Sequence, residues 1–211
     1  YGGLFALAVA AAFYLTTQRD LGSGLLSARP GPARAPASLL STLGLAWRLQ
    51  KGVLKGWAVA VAVFGVTIGL VVKEFAKLFT ENEEMADYLR ALGGQGSYEN
   101  VFFGGMVLYM CIIISAYGIQ ALQRMRSEES TGRLEPVLAT GVSRYSWIWS
   151  HAVCVLLGTA FLLIVLGVTT GLTYALYAGE SLSWIPKLTA AAFAQAPAIL
   201  AIAGFAIAAF A

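Results

Sequence analysis

Charge is scarce in this sequence and missing altogether from long parts of it. Asp, Glu, Lys and Arg make up 12% of the 211 residues against 58% hydrophobic, where a soluble domain keeps about a quarter of its residues charged. Residues 56–72, 101–122, 145–179 and 188–211 contain none of the four. A helix needs roughly 20 mostly apolar residues to cross the hydrocarbon core, so the last three runs suffice outright. The first suffices if Lys55 and Lys73 reach outward from its ends to the interface. These runs lack the apolar–polar alternation of a membrane-barrel strand and are too long for one. The expected fold class is an all-α integral membrane protein, a polytopic bundle of transmembrane helices.

Catalytic chemistry is equally sparse. There is one histidine, His151, and there are two cysteines, Cys111 and Cys154, both inside apolar runs. No HExxH, CxxC or GxSxG pattern occurs, so no metal site is expected and a membrane hydrolase is poorly supported. Ser150 and His151 are sequence neighbours and point in different directions on a helix, which does not make a nucleophile and its base. His151 reads as a satisfied polar residue and the cysteines as packing residues. No ionisable residue interrupts the charge-free runs, which weakens ion-driven transport, and no GxxxxGK[ST] phosphate loop is present. If ATP drives this protein, the ATPase is another polypeptide, which binds the ATP and Mg2+; no cofactor is expected in this chain, and no nucleic-acid partner.

What charge there is sorts by side. Residues 18–55 carry Arg19, Arg29, Arg34, Arg48, Lys51 and Lys55 against Asp20, and the connection before residue 145 carries Arg124, Arg126, Arg133 and Arg144. The connection 73–100 is rich in Glu. By the positive-inside tendency the first two are cytoplasmic and the third lies outside. The expected order is 1–17 as the end of a preceding span, 18–37 as a Pro-, Gly- and Ala-rich linker, and 38–55 as an interfacial helix. A transmembrane domain 56–211 follows, with spans about 56–76, 100–123, 145–178 and 187–211, and further spans are expected beyond it. The interfacial helix is drawn from Leu39, Leu43, Trp47, Val53 and Leu54 on one side and Ser41, Arg48, Lys51 and Lys55 on the other, with Trp47 and Trp57 at headgroup depth. Its alternative is a plain extension of the following span. Thr80 with Glu83 makes a capping-box pattern, and Met85, Leu89 and Leu92 lead to Gly93–Gly94, which suggests an outer helical cap. Gly65 with Gly69 and Gly167 with Gly171 have the GxxxG spacing that lets membrane helices approach closely, although glycine is also simply common in spans.

One polar stretch stands between two apolar runs, "RSEESTGRLEPVLATG" at 126–141. The preceding helix is expected to run on through Glu128 and Glu129, and Gly132 to turn the chain. Thr131 is expected to cap a short new helix with Pro136 in its first turn, and Gly141 to end it. Leu134, Val137 and Leu138 then form an apolar knuckle sized for a groove on a soluble partner. The run "EESTGRLEPVLATGVSRYSW" resembles the E-x-G-T-L-E-x-L-L-x-T-P-V-S-R pattern of the type-two class of ATP-binding cassette exporter permeases, in which this segment is the coupling helix. The match places Glu129, Gly132, Leu134, Glu135, Leu138, Thr140, Val142, Ser143 and Arg144 on the motif. Arg133 stands where Thr is usual and Gly141 where Pro is common, closer to the actinobacterial branch linked with export of polyketide antibiotics such as tetronasin, in which two six-span halves are fused.

The resemblance implies a permease subunit of the bacterial cell membrane that exports a hydrophobic or amphipathic, antibiotic- or drug-like compound, driven by two ATPase subunits. They would dock on the coupling segment 128–142, with Leu134 and Leu138 seated in a groove and Glu128, Glu129 and Arg133 fixing register. An ion-driven carrier and a non-transporting membrane scaffold remain the alternatives at this point.

Overall fold

A computed structural model describes residues 2–17, 34, 36–80 and 98–210. Most of the linker and all of the outer cap that follows Thr80 lie outside the described residues. The chain divides into two units, Tyr1–Pro36 and Ala37–Ala211. The first contains α1 (Gly2–Thr17), apolar on every side and 16 residues long. At 1.5 Å per residue that is about 24 Å, short of a full crossing.

The second unit contains a 3-10 turn (Ala37–Leu40), α2 (Thr42–Thr80), α3 (Tyr98–Ser130), α4 (Leu134–Ala139), α5 (Arg144–Ala178), α6 (Trp184–Ala194) and α7 (Ala196–Phe210), and no strand among the described residues. Thr42–Lys77, Tyr98–Ser130, Arg144–Ala178 and Trp184–Phe205 are each long and apolar enough to cross a membrane. α2, α3 and α5 have 39, 33 and 35 residues. The shortest is about 50 Å long against a hydrocarbon core of about 30 Å, so all three project well beyond it.

The separate interfacial helix expected over 38–55 is not formed. Its residues from Thr42 onward are the first turns of the single helix α2, the extension that was its alternative. Ser41 opens this helix by accepting the N–H of Gly44 at 3.0 Å, and the 3-10 turn folds back so closely that a Cβ on Gly44 would lie 1.6 Å from the Ser38 carbonyl oxygen. Nothing breaks the helix at 55–56, because one buried stripe, Ala46, Gln50, Leu54 and Val61, runs straight across that point. The apolar face expected to sit together divides: Leu54 is buried in the bundle, whereas Leu43, Trp47 and Val53 are exposed on its outside.

Two GxxxG pairs hold the middle. α2 packs most extensively on α5, and α5 on α6. A Cβ on Gly69 would meet the Thr170 carbonyl oxygen at 2.8 Å, and one on Gly65 the Thr169 hydroxyl at 2.1 Å. On the other side of α5, Cβ atoms on Gly167 and Gly171 would meet Thr189 Cα at 2.4 Å and Ile185 Cα at 2.7 Å. Lipid supplies no hydrophobic drive for helices to associate, so close backbone approach and dispersion hold them together. The glycines here are packing surfaces. α3 lies against α2, α5 and α7, and Ile114, Tyr117, Leu162, Leu163 and Leu166 are fully buried where the helices meet.

The last span also departs from its expected form. It begins at Trp184 rather than 187 and is broken at Gln195 into α6 and α7. Pro197 accounts for the break: it has no N–H to donate, and its ring would collide with the carbonyl four residues back. The Gln195 N–H bonds Ala192 in a tighter turn, and Cys111 donates its thiol to the same carbonyl at 4.0 Å. That gives one of the two buried cysteines a packing role with a polar component.

Candidate functional site

The coupling segment is built at the basic end of the bundle by a turn that closes α3 completely. Gly132 has φ +72°. Its N–H reaches the Glu129 carbonyl at 3.0 Å, and the Arg133 N–H reaches that of Glu128 at 3.0 Å, the paired bonds of a Schellman termination. Thr131 does not cap the next helix. Its hydroxyl turns back to the Ser127 carbonyl at 2.7 Å, which also accepts the Thr131 N–H at 3.1 Å, and α4 starts at Arg133 with no side-chain cap. After the six residues of α4, Gly141 at φ +84° reverses the chain again. Ser143 then caps α5 by accepting the Ser146 N–H at 3.1 Å.

Charge pairs lock this loop to itself. Arg124 and Arg133 both meet the Glu128 carboxylate, at 3.3 and 3.4 Å, and Glu128 is only 12% exposed. Arg144, the first residue of α5, pairs with Glu129 in the last turn of α3. Residues expected to set register on a partner are thus engaged within the chain, and they tie the ends of α3 and α5 together.

Leu134 requires a correction of the same kind. It is 3% exposed and faces the protein, so it anchors α4, which packs on α3, and cannot seat in a partner's groove. The single turn of α4 can present only one side outward, and having Leu134 inside leaves Arg133, Glu135, Pro136, Ala139 and Thr140 exposed, with Val137 and Leu138 half-buried. Glu135 makes no ion pair among the described residues. This outward face is mixed apolar and charged, and it is narrower than a three-residue apolar knuckle.

Glu128, Glu129, Gly132, Arg133, Leu134, Glu135, Leu138 and Arg144 therefore come together in one structure. Trp47, Arg48, Lys51 and Lys55 do not join them: all four are exposed on α2 and share no hydrogen bond or ion pair with the segment. The basic end also holds a polar joint that linear reading missed. Gln50 Nε2 donates to His151 Nδ1 at 3.1 Å with both residues buried, and Trp147 places its ring edge-on to the imidazole at 5.1 Å. Beside His151 in the chain, Ser150 donates to Thr42 at 2.7 Å. His151 is a satisfied helix-to-helix contact, and the Ser150 hydroxyl bonds elsewhere. The available signal for this joint was Gln50 recurring four residues after Ala46 and four before Leu54 on an otherwise apolar stripe. No group of His, Cys, Asp and Glu able to hold a metal occurs among the described residues.

A family model described as the C-terminal domain of the multidrug efflux system permease Rv1217c matches residues 39–211. The multidrug efflux system permease protein Rv1217c of Mycobacterium tuberculosis (strain ATCC 25618 / H37Rv) is 33% identical over 201 residues, which is 93% of this chain and 37% of that protein. The chain spans little more than a third of the length of this curated relative.

Proposed function

The chain belongs to the family of multidrug efflux system permeases of the Rv1217c type, matched through the C-terminal domain, and from that premise we propose that it is the membrane-spanning part of an ATP-driven exporter. It lies in the bacterial cell membrane as a multi-pass bundle, with the 130–144 end in the cytoplasm. Its cargo is a hydrophobic or amphipathic, drug-like compound. The Arg133 and Gly141 variations of the motif favour the branch that exports polyketide-type antibiotics. Two cytosolic ATPase subunits bind the ATP and Mg2+.

One observation carries this reading: two long membrane helices, α3 and α5, are joined by a six-residue helix that is folded, bounded by glycine turns and cross-tied, yet keeps an exposed face. A flexible loop would absorb a push from a partner. This one is held at both ends by left-handed glycines and across its base by Glu129–Arg144, so a displacement of α4 is passed to both helices at once. ATP binding does work on the bundle only if the ATPase grips α4 differently in two bundle states. Glu135, Pro136, Leu138 and Ala139 are the residues placed to make that differential contact.

The test is purification of the full-length protein from its own membranes with its soluble partners. An ATPase that co-purifies, and is lost on Leu138→Asp while the permease stays in the membrane and melts normally, supports the reading. Flux that survives ATP depletion but collapses with the ion gradient would replace it with a gradient-driven carrier.

A further inference from the structure

Resting on the reading that the basic end faces the cytoplasm, we propose that Arg48, Lys51 and Lys55 surround Gly52 as an anion seat on α2. It holds the phosphate of an anionic phospholipid of the inner leaflet, one whose headgroup carries no balancing ammonium. Arg48 lies four positions before Gly52 and Lys55 three after it, and Lys51 lies three from Arg48 and four from Lys55. Residues at these spacings are neighbours on a helix surface, so the three cations rim a patch of helix that has no side chain of its own. All four residues are exposed, on the side of α2 turned away from the buried stripe of Ala46, Gln50, Leu54 and Val61.

Two features set this stripe apart from the positive charge that any inner-facing segment carries. The first is that it is uncompensated. Arg124, Arg133 and Arg144 at the same end are each paired with Glu128 or Glu129. Arg48, Lys51 and Lys55 make no ion pair or side-chain hydrogen bond among the described residues, and α2 carries no carboxylate before Glu74. Like charges three and four positions apart repel and weaken a helix; an anion between them relieves that repulsion. The second feature is Gly52. A glycine inside an exposed helix costs stability relative to alanine, and Gly65 and Gly69 on the same helix offset that cost by packing closely on α5. A Cβ on Gly52 would meet nothing within 4 Å, so its missing side chain serves no helix contact in this unit. It leaves the helix surface bare at the centre of three cations, where a phosphate oxygen can approach.

Depth selects a lipid among the possible anions. The charge-free run begins at residue 56, so Lys55 is the last charge before the hydrocarbon. Helical side chains lean toward the N-terminus of their helix, which on α2 is the basic end. The ammonium groups of Lys55 and Lys51 therefore reach back to headgroup level. Trp47, four positions before Lys51, is exposed, and an indole suits the same level. The 3-10 turn covers Gly44, four positions before Arg48, so the stripe ends there. α2 runs through this zone without a break, and the spacing of the seat is fixed by the helix itself. A phosphodiester whose headgroup lacks an ammonium offers its whole charge to the three cations, whereas a zwitterionic headgroup brings a cation that they repel.

The experiment titrates the full-length protein in detergent with phosphatidylglycerol, with phosphatidylcholine of the same chains, or with soluble glycerol 1-phosphate, and counts bound lipids by native mass spectrometry. One phosphatidylglycerol is expected to be held more tightly than the rest, and a phosphatidylglycerol with a diazirine beside its headgroup should label the helix around Gly52. Arg48→Gln, Lys51→Gln and Lys55→Gln should each weaken that lipid about fivefold, the worth of one cation at an anionic surface. Gly52→Leu keeps every charge and should weaken it as much as the loss of a cation. The lipid-free Gly52→Leu protein should melt no lower than wild type, because the space is open and Leu favours a helix. Wild-type lipid binding by Gly52→Leu would reduce the site to surface charge and overturn the proposal. So would phosphatidylcholine held as tightly, glycerol 1-phosphate competing at equal concentration, or a cross-link in native membranes that joins Lys51 to an acidic segment of another polypeptide. In right-side-out membrane vesicles, probe confined to the outer leaflet should leave the seat unlabelled. Labelling from that leaflet overturns the orientation, and with it the inner-leaflet assignment, but not the anion seat.

Discussion

At mid-bundle, Gly65, Gly69, Gly167 and Gly171 let the backbones of α2, α5 and α6 touch, and a methyl group on any of them would collide with a neighbour. At the basic end, Gly132 and Gly141 have nothing within 4 Å and are present for their left-handed φ. The same residue type thus serves opposite needs: absent bulk in one region, backbone freedom in the other. Packed interiors are bistable rather than continuously deformable, so the middle moves as rods. The basic end is held by turn hydrogen bonds and exposed ion pairs, each individually weak, and a partner's grip can compete with them.

The sharpest way to break this comparison is Gly167→Val. Its side chain must displace the Thr189 backbone, and overpacking that reaches backbone should cost about 3 kcal/mol. Loss of the folded, monodisperse protein in detergent is the expected result; a wild-type melting curve would mean that the α5–α6 contact is looser than the geometry indicates. Leu134→Asp comes next, at about 2 kcal/mol for placing a carboxyl group at a buried site. Leu138→Asp, one turn on and half-buried, should leave the melting curve nearly intact while abolishing cargo-stimulated ATP hydrolysis. Equal destabilisation by the two would show that α4 has no outward face. Gly132→Ala follows, at about 1 kcal/mol for a side chain forced into the left-handed region, read as faster hydrogen exchange confined to residues 128–134.

Much of this contrast was legible in the sequence. Charge-free runs gave the membrane helices, and both GxxxG pairs mark real interfaces. Gly132 and Gly141 marked both reversals, since few other residues adopt positive φ. Other features depend on which way a helix is rotated, and sequence reports that weakly. Leu43 and Trp47 make as good an apolar face as Ala46 and Leu54, but only the second pair is buried, and the buried stripe includes Gln50, which meets His151 across the interface. Apolarity and the motif resemblance both point Leu134 outward, whereas a helix of six residues needs an anchor as well as a tip, and Leu134 is that anchor. Pro197 was a visible break signal within an apolar run long enough to read as one span.

The smallest expected effect tests the basic end most directly. Glu129 and Arg144 are 48% and 60% exposed, and an exposed pair of this kind contributes about 0.2–1 kcal/mol. Glu129→Ala and Arg144→Ala, alone and together, should each shift stability by no more than that, with a coupling between them of similar size in a double-mutant cycle. Their effect on transport should be out of proportion to this, because the pair ties α5 to the turn that α3 enters. Without it, a push on α4 moves α3 and leaves α5 behind. ATP hydrolysis should then continue at the wild-type basal rate while cargo no longer stimulates it, and the charge-swapped protein, Glu129→Arg with Arg144→Glu, should recover stimulation. Full stimulation in the single variants would mean that the two helices are moved by separate contacts and that the tie is incidental.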